Sequence, residues 1–188
     1  MKPDLFVVPQ FFDPGLCVTI LAELKTLAGS AATVYGRTST GFVDERTRKT
    51  LRLNPAEETV KLVVARLWGL KEAVEKHFAV TLGECEEPQF LRYREGDYFV
   101  AHQDGNTGML KLDSEQRLIS TVIFLNRQTE QPEDEAYCGG SLLFFVDWRN
   151  NFRIAAEPGT LVAFRSETTH EVTPVTHGER FSIASWYR

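Results

Sequence analysis

The sequence predicts a mainly β protein, a sandwich or double-sheet jelly roll supported by N-terminal α-helices. Three observations carry that expectation. From residue 89 onward the chain breaks into eight short runs rich in Phe, Val, Ile, Tyr and Trp: QFLRY, YFVAH, RLISTVIFLN, GGSLLFFVDW, FRIAAEP, GTLVAFRS, HEVTPV and RFSIASWYR. Gly96, Gly105, Gly139, Gly140, Pro158, Gly159 and Gly178 punctuate these runs as turn formers. No helical stretch separates them, which argues against alternating βαβ units and a parallel sheet.

Helical spacing is confined to the first 88 residues. Residues 13–28 read as the first helix: Asp13 can cap it, Pro14 suits its first turn, and Leu16, Ile20, Leu21, Leu24 and Leu27 fall on one face. Gly29 is a natural stop. A second helix begins near Pro55 with Asn54 as its cap, and Val60, Val63, Val64, Leu67, Leu70 and Val74 form its apolar stripe. Both helices are expected to cover one sheet. Between them, residues 31–53 are polar, with strand-like pieces around Ala32–Tyr35 and Thr50–Leu53. A segment of this kind is either solvated surface or a lid over a substrate, in which Arg46 and Arg48 would bind substrate carbonyls or acidic groups. Thr129–Tyr137 reads as an exposed acidic loop. No repeat, linker or domain boundary is visible. Residues 1–188 are therefore expected to form one domain, with helical support and lid in 1–88 and the β core in 89–188.

Composition narrows the function. A chain of 188 residues with 13 Phe, 5 Tyr and 3 Trp can bury one sizeable core. Its formal charge of -5 gives no general attraction for nucleic acid. The N-terminal apolar stretch, interrupted by Pro9, Gln10 and Asp13, makes a poor signal peptide, and no run approaches the roughly 18 apolar residues of a membrane span. A cytoplasmic protein is the expectation. Cys17, Cys85 and Cys138 are isolated and suggest neither a disulfide framework nor a sulfur-rich zinc site.

The chemistry is concentrated in Tyr98-Phe-Val-Ala-His-Gln-Asp104. Along a strand, residues two apart face the same way, so His102 and Asp104 can offer an imidazole nitrogen and a carboxylate oxygen to one ion. His170 opens a later run, and antiparallel closure can return it beside that pair. Two His and one carboxylate suit non-haem Fe(II) with open coordination positions; zinc is also chemically allowed. Arg180, ten residues beyond His170 after the Gly178 turn, is expected on a strand pairing near that of His170, with its guanidinium toward the cavity. There it could hold the far carboxylate of a dicarboxylate such as 2-oxoglutarate; pairing with Glu179 is its ordinary structural role.

The segments FLRYREGDYFVAHQD (90–104), RLISTVIFLN (117–126), GGSLLFF (139–145), EPGTLVAF (157–164) and HEVTPVTHGERFSIASWYR (170–188) together resemble the Fe(II)/2-oxoglutarate-dependent oxygenases, specifically their prolyl 4-hydroxylase-like branch. The resemblance implies a double-stranded β-helix with Fe(II) on His102, Asp104 and His170, 2-oxoglutarate held by Arg180, and O₂ as the second cosubstrate. It implies that Tyr93 projects into the cosubstrate pocket and that Trp186 lines the same cavity. Each has a plain alternative as a packed core aromatic. Relatives commonly carry a Tyr at the position of Phe124 and a small hydroxyl residue at that of Ala184; both contacts are lost here. Ser120, on the same strand face as Phe124, is expected to supply a hydroxyl or recruit water instead. The implied reaction is C–H hydroxylation with release of succinate and CO₂, on a prolyl residue of a peptide or protein. A free amino acid or small metabolite is the alternative substrate. A cupin-like zinc or nickel enzyme and a non-enzymatic jelly-roll binding module are the competing classes; the first leaves Tyr93, Arg180 and Trp186 without a shared role, and the second has no need for Arg180 beside an open coordination face.

Overall fold

A computed structural model describes residues 3–34, 42–105, 117–146 and 150–188. In chain order its elements are β1 (Leu5–Val8), α1 (Pro14–Lys25), β2 (Ser30–Ala31), β3 (Arg48–Lys49), β4 (Leu51–Leu53), α2 (Glu57–Phe78), β5 (Gln89–Tyr93), β6 (Tyr98–His102), β7 (Ile119–Phe124), β8 (Cys138–Gly139), β9 (Leu142–Phe145), β10 (Asn151–Arg153), β11 (Leu161–Arg165), β12 (His170–Val172), β13 (Val175–His177) and β14 (Arg180–Tyr187). The strands form a seven-stranded sheet, β1-β11-β7-β14-β5-β4-β2, a five-stranded sheet, β10-β9-β12-β6-β3, and the short pair β13-β8. The expected mainly β jelly roll with helical support is what forms.

Side-chain alternation divides the seven-stranded sheet between two cores. Ile119 and Ile123 of β7, Leu161 and Ala163 of β11, and Phe181, Ile183 and Tyr187 of β14 face the helices, packing with Ile20, Leu24, Val63, Leu67, Val74 and Phe78. The intervening positions, Phe124, Val162 and Phe164, join Leu91, Tyr93, Leu142, Phe144 and Val172 between the two sheets. Each fully buried Val, Leu, Ile or Phe among them contributes ~1.5–3 kcal/mol relative to exposure. Tyr187 also donates its phenolic hydrogen to the carbonyl of Leu67, 2.6 Å away, fixing α2 to β14.

Helix α1 starts as expected: Asp13 accepts from the Leu16 amide at 3.0 Å and Pro14 occupies the first turn. Helix α2 departs from expectation. Asn54 does not cap it; the helix begins at Glu57, and Glu23 of α1 reaches across to accept from the Ala56 amide and the Thr59 hydroxyl, both at 2.6 Å. A cap borrowed from another helix leaves no local sequence signal.

The first 88 residues contribute strands as well as helices. β1, a four-residue strand not foreseen in the sequence, pairs with β11 at the sheet edge, and β3 and β4 pair with β6 and β5. HEVTPV divides at Pro174, where the missing amide hydrogen interrupts the ladder, and its two halves join different sheets. Of the segment read as a lid, residues 35–41 lie outside the described residues.

Candidate metal centre

His102 is the last residue of β6 and His170 the first of β12, and the two stand directly opposite in the ladder. One register step further the pairing shifts, with Val172 opposite Phe99, so a bulge lies next to the paired histidines. Asp104 lies beyond the end of β6, so strand alternation alone does not orient it. The amides of Asp104 and Gly105 both donate to the carbonyl of Ser166, at 2.9 and 3.1 Å, and that anchor turns the carboxylate toward the histidines.

The resulting cluster is tight. One ligand atom from each of His102, Asp104 and His170 falls within 4.8 Å of the others. The two Asp104 oxygens lie 3.4 Å from His102 Nε2 and 3.5 Å from His170 Nε2. His102 Nδ1 is 2.8 Å from the Val100 carbonyl, and His170 Nδ1 is 2.9 Å from that of Thr168. A carbonyl only accepts, so both Nδ1 atoms carry the proton and both Nε2 lone pairs are directed at the shared space. The Phe99 ring stacks on His102 at 3.5 Å, and the Phe164 ring meets His170 edge-on at 4.7 Å.

The charge states suit a divalent cation. Burial opposes ionisation of Asp104, but the imidazoles, His170 foremost, hold its carboxyl well below the usual carboxylate range. Burial pushes His170 down to about 4, against the pull of Asp104, and His102 adds to the depression. The cluster therefore offers one anion and a neutral His170 at neutral pH, with no bound proton for a metal to displace from either. Two imidazoles and a carboxylate fit first-row divalent ions and leave coordination positions open.

Trp186 lies at this end of the cavity. Its indole N–H is buried, faces the Asp104 carboxylate and has no formed hydrogen bond. Arg117 covers the ring at 3.8 Å while pairing bidentately with Glu86, at 2.7 and 2.6 Å.

Arg180 marks a second polar focus. Its strand, β14, pairs with β5 and β7 in the seven-stranded sheet, whereas the expectation put it beside the strand of His170. A jelly roll alternates between its sheets, so consecutive strands need not be neighbours. The guanidinium nevertheless enters the same interior. Arg180 is 1% exposed, Nη1 donates to Ser182 Oγ at 2.7 Å, Nε has no partner, and among the described residues no carboxylate pairs with it. Glu179 turns instead toward Arg92 and Arg94. The Tyr93 and Phe124 rings lie 5.0 and 5.6 Å from the guanidinium carbon. Tyr93 is buried. A buried cation with unused donors fits an acceptor-only anion such as a carboxylate.

Ser120 does not reach this focus. Its hydroxyl is bonded to that of Ser166 at 2.9 Å, and it pairs with Trp186, while Phe124 pairs with Ser182. Four strand residues, ~13 Å at 3.3 Å each, separate Ser120 from Phe124. Both share a face, as alternation dictates, but at opposite ends. Ala184 sits between them, opposite Val122 and Gln89. The residues the sequence did not reveal are Ser182 and Tyr137. Residues 130–135 of the expected acidic loop are exposed, but Tyr137 at its end is fully buried with its phenol against Arg180. The only sequence hint is its position just before the Gly139–Gly140 turn.

The two arginines of the lid segment separate. Arg46 projects into solvent beside Asp44, with 95% of its side chain exposed. Arg48 is buried, donates to the Thr33 carbonyl and Gln89 Oε1, and lies 4.9 Å from the Phe99 ring that stacks on His102.

Comparison with known proteins agrees with this geometry. The family model described as 2OG-Fe(II) oxygenase superfamily matches residues 88–188. A PKHD-type hydroxylase of Paracoccus denitrificans is 27% identical, over 97% of this chain and 77% of that protein. One from Acaryochloris marina is 30% identical, over 93% and 75%. Among solved structures, a Pseudomonas putida prolyl-4-hydroxylase superposes with a TM-score of 0.72 at 24% identity, covering 99% of this chain and 92% of that one. A Trichoplax adhaerens prolyl hydroxylase, solved with a peptide fragment of the hypoxia inducible factor oxygen degradation domain, gives 0.73 at 18%, covering 98% and 83%. These two structural likenesses speak to the fold.

Proposed function

This chain belongs to the 2OG-Fe(II) oxygenase superfamily, and from that premise we propose that it hydroxylates a prolyl residue of a peptide or protein substrate. The superfamily uses Fe(II), 2-oxoglutarate and O₂, so the chain is an oxidoreductase with those requirements. When bound, the iron and cosubstrate supply the oxidising chemistry, which ends in a hydroxylated substrate, succinate and CO₂.

The observation that carries the residue roles is the pairing of two unsatisfied groups in one interior: a three-ligand cluster and a buried guanidinium with no carboxylate partner among the described residues. In this reading His102, Asp104 and His170 hold the iron, and Arg180 holds the distal carboxylate of 2-oxoglutarate with Tyr93 beside it. Trp186 turns its unbonded indole N–H toward Asp104, and none of the three ligands acts as a general base. Arg48, whose Nε is free, is the donor on the substrate side next to Phe99. Phe99 and Phe164 exclude water from the ligand rings.

The prolyl assignment is supported by the superposed prolyl hydroxylases, one of them solved with a peptide. A cytoplasmic location suits the three free thiols, which a reducing compartment preserves, and no described helix is long and apolar enough to cross a membrane. The deciding experiment incubates the protein with Fe(II), 2-oxoglutarate, O₂ and a panel of proline-containing peptides. The expected result is gain of one oxygen on a prolyl residue with equimolar succinate. Succinate release stimulated by a free amino acid or small metabolite, and by no peptide, would overturn the prolyl assignment.

A further inference from the structure

Unpartnered buried donors gather around Arg180. Nε of Arg180 is unpartnered, its Nη1 goes to a serine hydroxyl, and the buried phenol of Tyr137 has no hydrogen-bond partner among the described residues. Phe124, which has no hydroxyl, approaches the guanidinium only with its ring. Leaving several buried donors unmade is unfavourable, and an acceptor-only group with about four lone-pair sites would satisfy them together.

Tyr137 is built into this pocket. It precedes β8, which pairs with β13, and β13 leads through the Gly178 turn into Arg180. A Cβ on Gly178 would lie 2.5 Å from the Ala136 carbonyl, so that turn packs directly on the backbone leading into Tyr137. At Gly140 the contacts converge: a Cβ there would lie 3.1 Å from Arg180 Cδ and 3.2 Å from Tyr137 Cε2. The arginine stem and the tyrosine ring thus meet over a position that only glycine leaves open. Backbone bonds hold the tyrosine from outside, its amide donating to the Arg127 carbonyl at 3.1 Å and its carbonyl accepting from the Thr129 amide at 2.8 Å. Burial raises the phenol's pKa against the pull of Arg180, so it keeps its proton at neutral pH.

We propose that Tyr137 is the second anchor of the cosubstrate's distal carboxylate, its buried phenol donating beside Arg180 the hydrogen bond that Phe124 cannot make. The proposal rests on the reading of this pocket as the 2-oxoglutarate site. Its consequence is that an arginine of β14 and a phenol from the segment before β8 meet on the same anion.

The test is binding, measured without turnover. Anaerobic calorimetric titration of the Fe(II)-loaded protein compares 2-oxoglutarate with 2-oxopentanoate, which has the same carbon chain and the same chelating end but no distal carboxylate. Wild type should prefer 2-oxoglutarate. Tyr137→Phe should weaken 2-oxoglutarate roughly tenfold, about 1.4 kcal/mol, and leave 2-oxopentanoate and Fe(II) affinities unchanged. Adding Phe124→Tyr to that variant should recover part of the loss, which a packing role for Tyr137 would not produce. Unchanged 2-oxoglutarate affinity in Tyr137→Phe, or equal weakening of both keto acids, overturns the assignment of Tyr137. A wild type that binds both keto acids equally overturns the cosubstrate pocket itself, and the role of Tyr137 with it.

Discussion

Replacing Arg180 with methionine separates what the guanidinium does for the fold from what it does for the ligand. In the free protein Arg180 is 1% exposed, has no carboxylate partner among the described residues and leaves Nε unbonded. An unsatisfied buried polar group costs ~1–3 kcal/mol. The Tyr93 and Phe124 rings offset some of this, at ~0.5–2 kcal/mol for cation–π contacts. Methionine keeps the length and apolar stem, so Arg180→Met should change unfolding free energy by between nothing and a gain of about 2 kcal/mol. The ligand pays the opposite sign. Losing one partner of a buried charge pair costs ~2–5 kcal/mol, roughly 30-fold to several thousand-fold in the 2-oxoglutarate Kd at about 1.4 kcal/mol per tenfold. Urea denaturation of the metal-free protein and anaerobic titration with 2-oxoglutarate measure the two quantities. A variant that binds 2-oxoglutarate like wild type, or that loses more than about 2 kcal/mol of stability, would show Arg180 to be a structural cation and refute the reasoning.

Three further substitutions probe the surrounding structure. Asp104→Ala removes the anionic ligand from a cluster with a neutral His170, and Fe(II) affinity should fall at least a hundredfold, on the order of 3 kcal/mol, with an unchanged far-ultraviolet dichroism spectrum; retained affinity would dissolve the triad. Ser120→Ala deletes the hydrogen bond to Ser166, whose carbonyl anchors Asp104. Stability should drop by about 1 kcal/mol while the 2-oxoglutarate Kd stays within twofold, roughly 0.4 kcal/mol; a larger shift in Kd would return Ser120 to the cosubstrate pocket. Tyr187→Phe removes the bond to Leu67 that ties α2 to β14, and should cost about 1 kcal/mol of stability in urea denaturation with no change in either ligand affinity.

The metal ligands were legible because their signal is local and chemical: a His and an Asp two residues apart, and a second His opening a later strand. The mechanism of their convergence was only half legible. Strand alternation was expected to orient Asp104, and the Ser166 carbonyl does so instead. Arg180 was legible as an interior residue, but its strand partners were not, because sheet alternation in a jelly roll is set by long-range pairing. The same limit explains Ser120: its face follows from period-two alternation, whereas its distance from Arg180 depends on the register of β7 against β14. Tyr137 was hidden by composition, one buried aromatic at the end of an acidic exposed stretch. The Glu23 cap of α2 and the edge strand β1 were hidden for a related reason, since each is defined by a partner far away in sequence.

In the proposed enzyme the His102, Asp104 and His170 cluster and Arg180 form one Fe(II)- and 2-oxoglutarate-dependent site. Succinate formed from 2-oxoglutarate and O₂, measured with and without Fe(II) in wild type, Asp104→Ala and Arg180→Met, tests it most directly. The account predicts iron-dependent succinate release by wild type, none above background from Asp104→Ala, and release from Arg180→Met that is restored only at much higher 2-oxoglutarate. Succinate release by Asp104→Ala at the wild-type rate, or wild-type turnover indifferent to Fe(II), would contradict it.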